Sequence, residues 1–307
     1  MSGRTDLTVR FLTAIVPLIF IGAGIQQSNH SYAVRDVISR ARLFGEGIFS
    51  VPEWHDGAGI FTSDGRRLYF TRADEKFTRS RVYYSDFADG EWSAPQLAPF
   101  SNSDYDAGCR FTPDGRVLFT SQRPTLNKEI SDAWNIWMAK RSKGEWTTPQ
   151  IMPAPINSNK SDCCAVVVGN NVIYFSSDRD GSWDIYRAAA NRKGEFEITK
   201  LDSSVNSSGG EWPSFVDSRE RFMLFSSIRP GGLGGDDVYI SYRRNGRWSQ
   251  AENLGAMVNT DAFEDSAVIS PDGRYFFWSS MRSIGGGKAN SNIYQIDLSA
   301  LGLKIER

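Results

Sequence analysis

One phrase, written five times, governs what this chain can fold into. Its copies are GIFTSDGRRLYFTR (59–72), CRFTPDGRVLFTSQR (109–123), AVVVGNNVIYFSSDR (165–179), SFVDSRERFMLFSSIR (214–229) and AVISPDGRYFFWSSMR (267–282). Each runs on into a second apolar word centred on Tyr83, Trp137, Tyr186, Tyr239 or Tyr294, positions 49 to 55 residues apart. A third word, DGEW, KGEW, KGEF or NGRW, follows in the first four copies. A repeat of this length is one supersecondary unit that cannot bury its apolar surface alone and must pack against its own copies.

The words are strands. They are short, β-branched and aromatic, and they lack the 3.6-residue spacing of a helix. Asp-Gly at 64–65, 114–115 and 272–273 and Asn-Gly at 245–246 supply the positive φ of two-residue hairpin turns, with a looser turn expected at Asp217 to Glu220. The second strand of each copy is apolar at consecutive positions, as in LYF (68–70) and FMLF (222–225), whereas a sheet with one wet face would alternate. Both faces need cover, and neighbouring copies are what can supply it.

The expected fold is therefore all-β: a five-bladed β-propeller of four-stranded antiparallel blades, occupying residues 34–307, with repeats starting near 53, 103, 159, 208 and 261. A sixth blade has no sequence to build it. The last copy is short of an outer strand, and RARLFGEGIFSV (40–51) is the segment able to complete it and lock the ring.

The unit, an aromatic strand after PDG followed by a serine pair and arginine, then DIY and GxW, resembles the TolB-type, WD-like propeller repeat of exported bacterial proteins, over residues 53 to about 302. The resemblance implies a propeller and a role in the cell envelope. Propellers of this kind serve as binding platforms, as parts of envelope machines and occasionally as enzymes, so function has to be read from the site.

The N-terminus points the same way. Arg4 and Arg10 precede the apolar run Phe11 to Ile25, and Ser31-Tyr32-Ala33 offers a small-x-small cleavage site, the pattern of a signal peptide spanning 1–33. Fifteen apolar residues are short for a span of about 20, so the mature chain is expected in the periplasm or medium with no stable membrane segment. Lys plus Arg (35) balance Asp plus Glu (36), which gives nucleic acid no field to follow. Cys109, Cys163 and Cys164 are an odd set without CxxC spacing, read as small buried residues or as a disulfide from Cys109 to one of the vicinal pair. No metal or cofactor motif is present: DRDGSWD (178–184) reads as a hairpin turn, and PGGLGGDD (230–237) lacks the helix of a phosphate loop.

Aligning the copies places an acid at one position each time: Asp56, Asp106, Asp162, Glu211 and Glu264. These precede the innermost strand, and the second strand returns Arg123, Arg179, Arg229 and Arg282 to the same end, with Arg72 or Asp74 in the first copy. One reading is that carboxylate and guanidinium pair and staple the blades. The other is a polar ligand pocket at the channel mouth. The first copy departs from the rest with Glu53, Trp54, His55 and Asp56 together, and Trp212 follows Glu211. Carboxylates beside tryptophan are how many sugar sites are built. The reading that follows is a monomeric, exported, non-catalytic module engaging a protein, peptide or glycan. The alternative is a secreted glycoside hydrolase or lyase using these carboxylates.

Overall fold

A computed structural model describes residue 32 and residues 37–305, apart from 104, 126–129, 131–132, 170, 284–288 and 304. Residues 1–31, and with them most of the expected signal peptide, lie outside the described residues. The chain forms five antiparallel sheets around a central axis, a five-bladed β-propeller. The innermost strands are His55–Phe61, Asp106–Phe111, Asp162–Val168, Glu211–Val216 and Glu264–Ile269. Each contacts the innermost strand of the next blade, and the fifth contacts the first. The one helical element among the described residues is a 3-10 turn, Leu298–Leu301.

Doubly apolar second strands find their cover between blades. Tyr69 and Phe119 share one core with Phe100, Leu118 and Phe175 share the next, and Tyr174 and Phe225 the one after. Leu224 packs with Phe276 and Trp278, and Phe70 with Phe277 across the closing interface. Every interface thus has its own dry cluster.

The ring closes as the sequence allows. Arg42 and Leu43 pair antiparallel with Gln295 and Tyr294, giving the fifth blade an outer strand from the opposite end of the chain. Phe44 and Phe49, which follow it, stack at 5.5 Å, and both contact Trp92 of the first blade. Tyr32, inside the segment expected to be removed, is buried against Phe61, Tyr275 and Phe277.

The turns differ from expectation in an instructive way. Two-residue turns with both residues at positive φ occur at Asp89-Gly90, Lys143-Gly144 and Asn245-Gly246, between the third strand and the outer one. The Asp-Gly pairs of the repeated phrase sit in longer loops: Asp64 and Asp272 accept the hydroxyls of Thr62 and Ser270 at 2.6 Å, and the glycine alone takes positive φ. Side-chain capping by Thr or Ser and Asp substitutes for a tight turn there. The fourth copy uses the same loop rather than a looser one, with Glu220 at φ 55 in the glycine place, held by Arg187 at 2.7 Å and Arg243 at 2.9 Å.

Candidate functional site: the central cavity

The five acids stand at the N-terminal ends of the innermost strands and are fully buried. Each is paired with the arginine of its own blade. Arg72 grips Asp56 bidentately at 2.7 and 2.8 Å, Arg123 meets Asp106 at 2.9 Å, and Arg179 meets Asp162 at 2.7 Å. Where the acid is a glutamate the contact is longer, 3.5 Å for Arg229–Glu211 and 3.7 Å for Arg282–Glu264, and a serine bridges it. Ser227 and Ser280 donate to Glu211 and Glu264 at 2.8 and 2.6 Å while accepting from the Nε of Arg229 and Arg282. That relay accounts for the second serine of the repeated phrase.

The guanidinium also reaches the segment entering from the preceding blade. Arg72, Arg123, Arg179, Arg229 and Arg282 donate to the carbonyls of Ile48, Phe100, Ile156, Val205 and Val258 respectively. Each also lies over aromatic rings of its own blade, such as Phe225 and Tyr239 for Arg229. Asn157, Asn206 and Asn259 finish the joint by bonding both backbone groups of Ile136, Ile185 and Val238 in the preceding blade. Burial pushes Asp56 up to about 6 against the opposing pull of Arg72.

The first copy's extra residues do not converge on a site. His55 is buried, accepts the Ser291 N–H on Nδ1 at 3.0 Å and stacks on Phe77. Glu53 and Trp54 are both exposed, Trp54 beside Arg72.

A cavity of about 370 Å³ occupies the channel instead, and of the residues expected to contact ligand only Trp212 lines it. Its walls include Trp134, Trp183 and Trp212, the charged groups Arg110, Asp236 and Asp265, and Cys164. Two features of the repeat put them there. Trp134, Trp183 and Asp236 share one position, just before the third strand of successive blades, while Trp212 and Asp265 share the position after the ring acid. Every innermost strand also carries a bulge, between Gly57 and Ile60, Ala107 and Arg110, Cys163 and Val166, Pro213 and Phe215, and Asp265 and Val268. Gly108, Cys164 and Ser266 take φ near 57 at equivalent bulge positions, which re-aims the strand at the channel.

The cavity's chemistry is lopsided. Trp183 and Trp212 touch, with ring centres 6.2 Å apart, and form one aromatic wall; Trp134 packs on Tyr105 at 4.8 Å. Asp236 bonds Ser226 through one oxygen, while Oδ1 is buried without a partner. Burial, with the Asp265 charge beside it, pushes the Asp236 carboxyl up to about 8. Asp265 opens onto the cavity and bonds Ser266 and Ser279. Arg110 donates to the carbonyls of Cys109 at 2.8 Å and Ser214, across the channel, at 3.1 Å. The three cysteines are free, and no cluster of three or more metal-ligating side chains occurs among the described residues.

This architecture is that of a five-bladed β-propeller of antiparallel sheets. Among solved structures the chain is similar to a protein of unknown function from Dyadobacter fermentans, at 15% identity, TM-score 0.50, and coverage of 84% of this chain and 97% of that one. It is also similar to TolB from Acinetobacter baumannii, at 17% identity and TM-score 0.48 over 78% of this chain, and it spans about half (53%) of that TolB. A putative TolB from Agrobacterium tumefaciens matches at 15% identity and TM-score 0.42, over 81% and 91% of the two chains. No family model and no curated protein matches the sequence. No helix among the described residues is long and apolar enough to cross a membrane.

Proposed function

We propose that the chain is an exported binding module whose ligand seat is the central cavity, and that among a protein, a peptide and a glycan the ligand is a glycan. The observation carrying this is the aromatic wall of Trp183 and Trp212 beside Asp236 and Asp265 in one cavity. A sugar presents an apolar ring face and a rim of hydroxyls, which such a wall and such carboxyls complement. The acid–arginine ring has another duty in this reading: its carboxylates are spent on arginines, serines and backbone, so it holds the blades in place.

The enzyme reading has one observation in its favour. Asp236 and Asp265 line the same cavity, Asp236 with one buried oxygen unpartnered and Asp265 bonded to two serines, and a pair of neighbouring carboxyls is what glycoside hydrolysis asks for. One experiment separates the readings. Saccharides are titrated against the protein by tryptophan fluorescence and calorimetry, with chromatography of the mixtures. Binding that is lost in Trp212→Ala, with the sugars recovered intact, supports the module. Cleavage abolished in Asp236→Asn would establish the enzyme, and no saccharide binding at all would refute both.

A further inference from the structure

Arg110 is a cation whose place in the cavity is not accounted for by its neighbours. It is 8% exposed, and it donates to two neutral carbonyls, those of Cys109 and Ser214. Among the described residues no carboxylate pairs with it, whereas each ring arginine has an acid of its own. A buried guanidinium without a counter-ion is costly unless an anion joins it. We propose that the cavity selects an acidic saccharide, one whose sugar carries a carboxylate, and that Arg110 receives that carboxylate. This rests on the reading of the cavity as a glycan seat.

Three further observations favour this occupant. A guanidinium offers a planar fork that matches a carboxylate, and among the described residues Arg110 is the only basic side chain lining the cavity. Burial pushes both cavity carboxyls up, Asp236 to about 8 and Asp265 above its ordinary value, so Asp236, with its buried unpartnered oxygen, presents a donor to an anion rather than a repelling charge. The aromatic residues do not form the cage that a quaternary ammonium requires, because Trp183 and Trp212 lie against each other instead of standing apart on either side of a gap. At about 370 Å³ the cavity is at the small end for ligand pockets, so it takes a terminal sugar unit rather than a stretch of polymer.

The test compares hexuronic-acid oligosaccharides, their methyl esters, matched neutral oligosaccharides and a short peptide with a free C-terminal carboxylate. Calorimetry is run on the full chain and on Arg110→Gln and Arg110→Lys. The uronates are expected to bind, and esterification to weaken them roughly tenfold or more, a comparison that needs no variant to fold. Arg110→Gln should lose the preference for acid over ester, and Arg110→Lys should recover it only in part. Neutral sugars binding as tightly as uronates, or the peptide binding more tightly, would overturn the proposal, the former while leaving the glycan seat intact. Failure of every saccharide would remove both.

Discussion

Arg179 donates through a single nitrogen, Nη2, to the Asp162 carboxylate and to the Ile156 carbonyl, both at 2.7 Å. One guanidinium thereby joins the first strand of the third blade to the segment arriving from the second. The same triangle recurs in all five blades, which makes it the joint of the ring.

Removing one partner from such a joint leaves the other buried and uncompensated. Asp162→Ala is expected to cost about 3–5 kcal/mol. At roughly 2–4 °C per kcal/mol for a domain of this size, calorimetry should show a clear fall in Tm. Saccharide affinity measured well below that Tm should stay within about twofold, since the cavity does not use the carboxylate.

Ring closure is testable apart from the joints. Phe49 is fully buried against Phe44, Phe70 and Trp92 where the N-terminal segment meets the first blade. Phe49→Ala should cost about 3–5 kcal/mol. Amide exchange should show the loss concentrated in the first and fifth blades, and uniform loss over all five would contradict the closure role.

The Asp236 carboxyl sets a pH dependence of known sign. Held at about 8 in the fold and near 4 when unfolded, it keeps its proton in the native state across that window while the unfolded chain releases it. Its contribution is complete below about pH 4 and is lost as pH rises through 8. Asp236→Asn should come closest to the native chain in Tm at or below about pH 4 and exceed it by a margin that grows with pH, at least about 2–4 °C at pH 9. Equal Tm values at both pH values would count against a buried, protonated carboxyl.

The thiols should separate by position. Burial pushes the Cys109 thiol up to about 12 and Cys163 well above its ordinary value, whereas Cys164 is half-buried and lines the cavity. A maleimide should label one thiol per native chain and three after denaturation, by mass spectrometry. Bound saccharide should slow the native labelling.

Export is tested by the mass of the mature protein. Cleavage near Ala33 predicts a chain beginning there in the periplasmic or culture fraction. A start upstream of Tyr32 would instead keep that ring packed against Phe61 and Tyr275.

The blade count, the strand order and the acid–arginine pairs were legible because they repeat: five copies of an aromatic followed by one or two hydroxyl residues and then an arginine leave little freedom in what they do. The cavity was not, because it is written where the copies disagree. The place filled by Trp134 and Trp183 becomes Asp236 in the fourth blade, and the place after the ring acid is glycine, alanine or cysteine until it becomes Trp212 and Asp265. Constant positions hold neighbours and variable ones face the axis, so the shared residues mark the joints between blades and not the cavity. Arg110 was hidden for a further reason: a bulge two residues earlier changes which side chains point inward, and alternation alone does not report it.

Pairing Arg42 and Leu43 with Gln295 and Tyr294 also imposes an order in time. The first strand of the described residues pairs with the last, so four blades must be made and stacked while that segment waits unclasped. A chain interrupted anywhere along its length is an open arc with two bare rims, and only the finished polypeptide can hide both from chaperones and proteases.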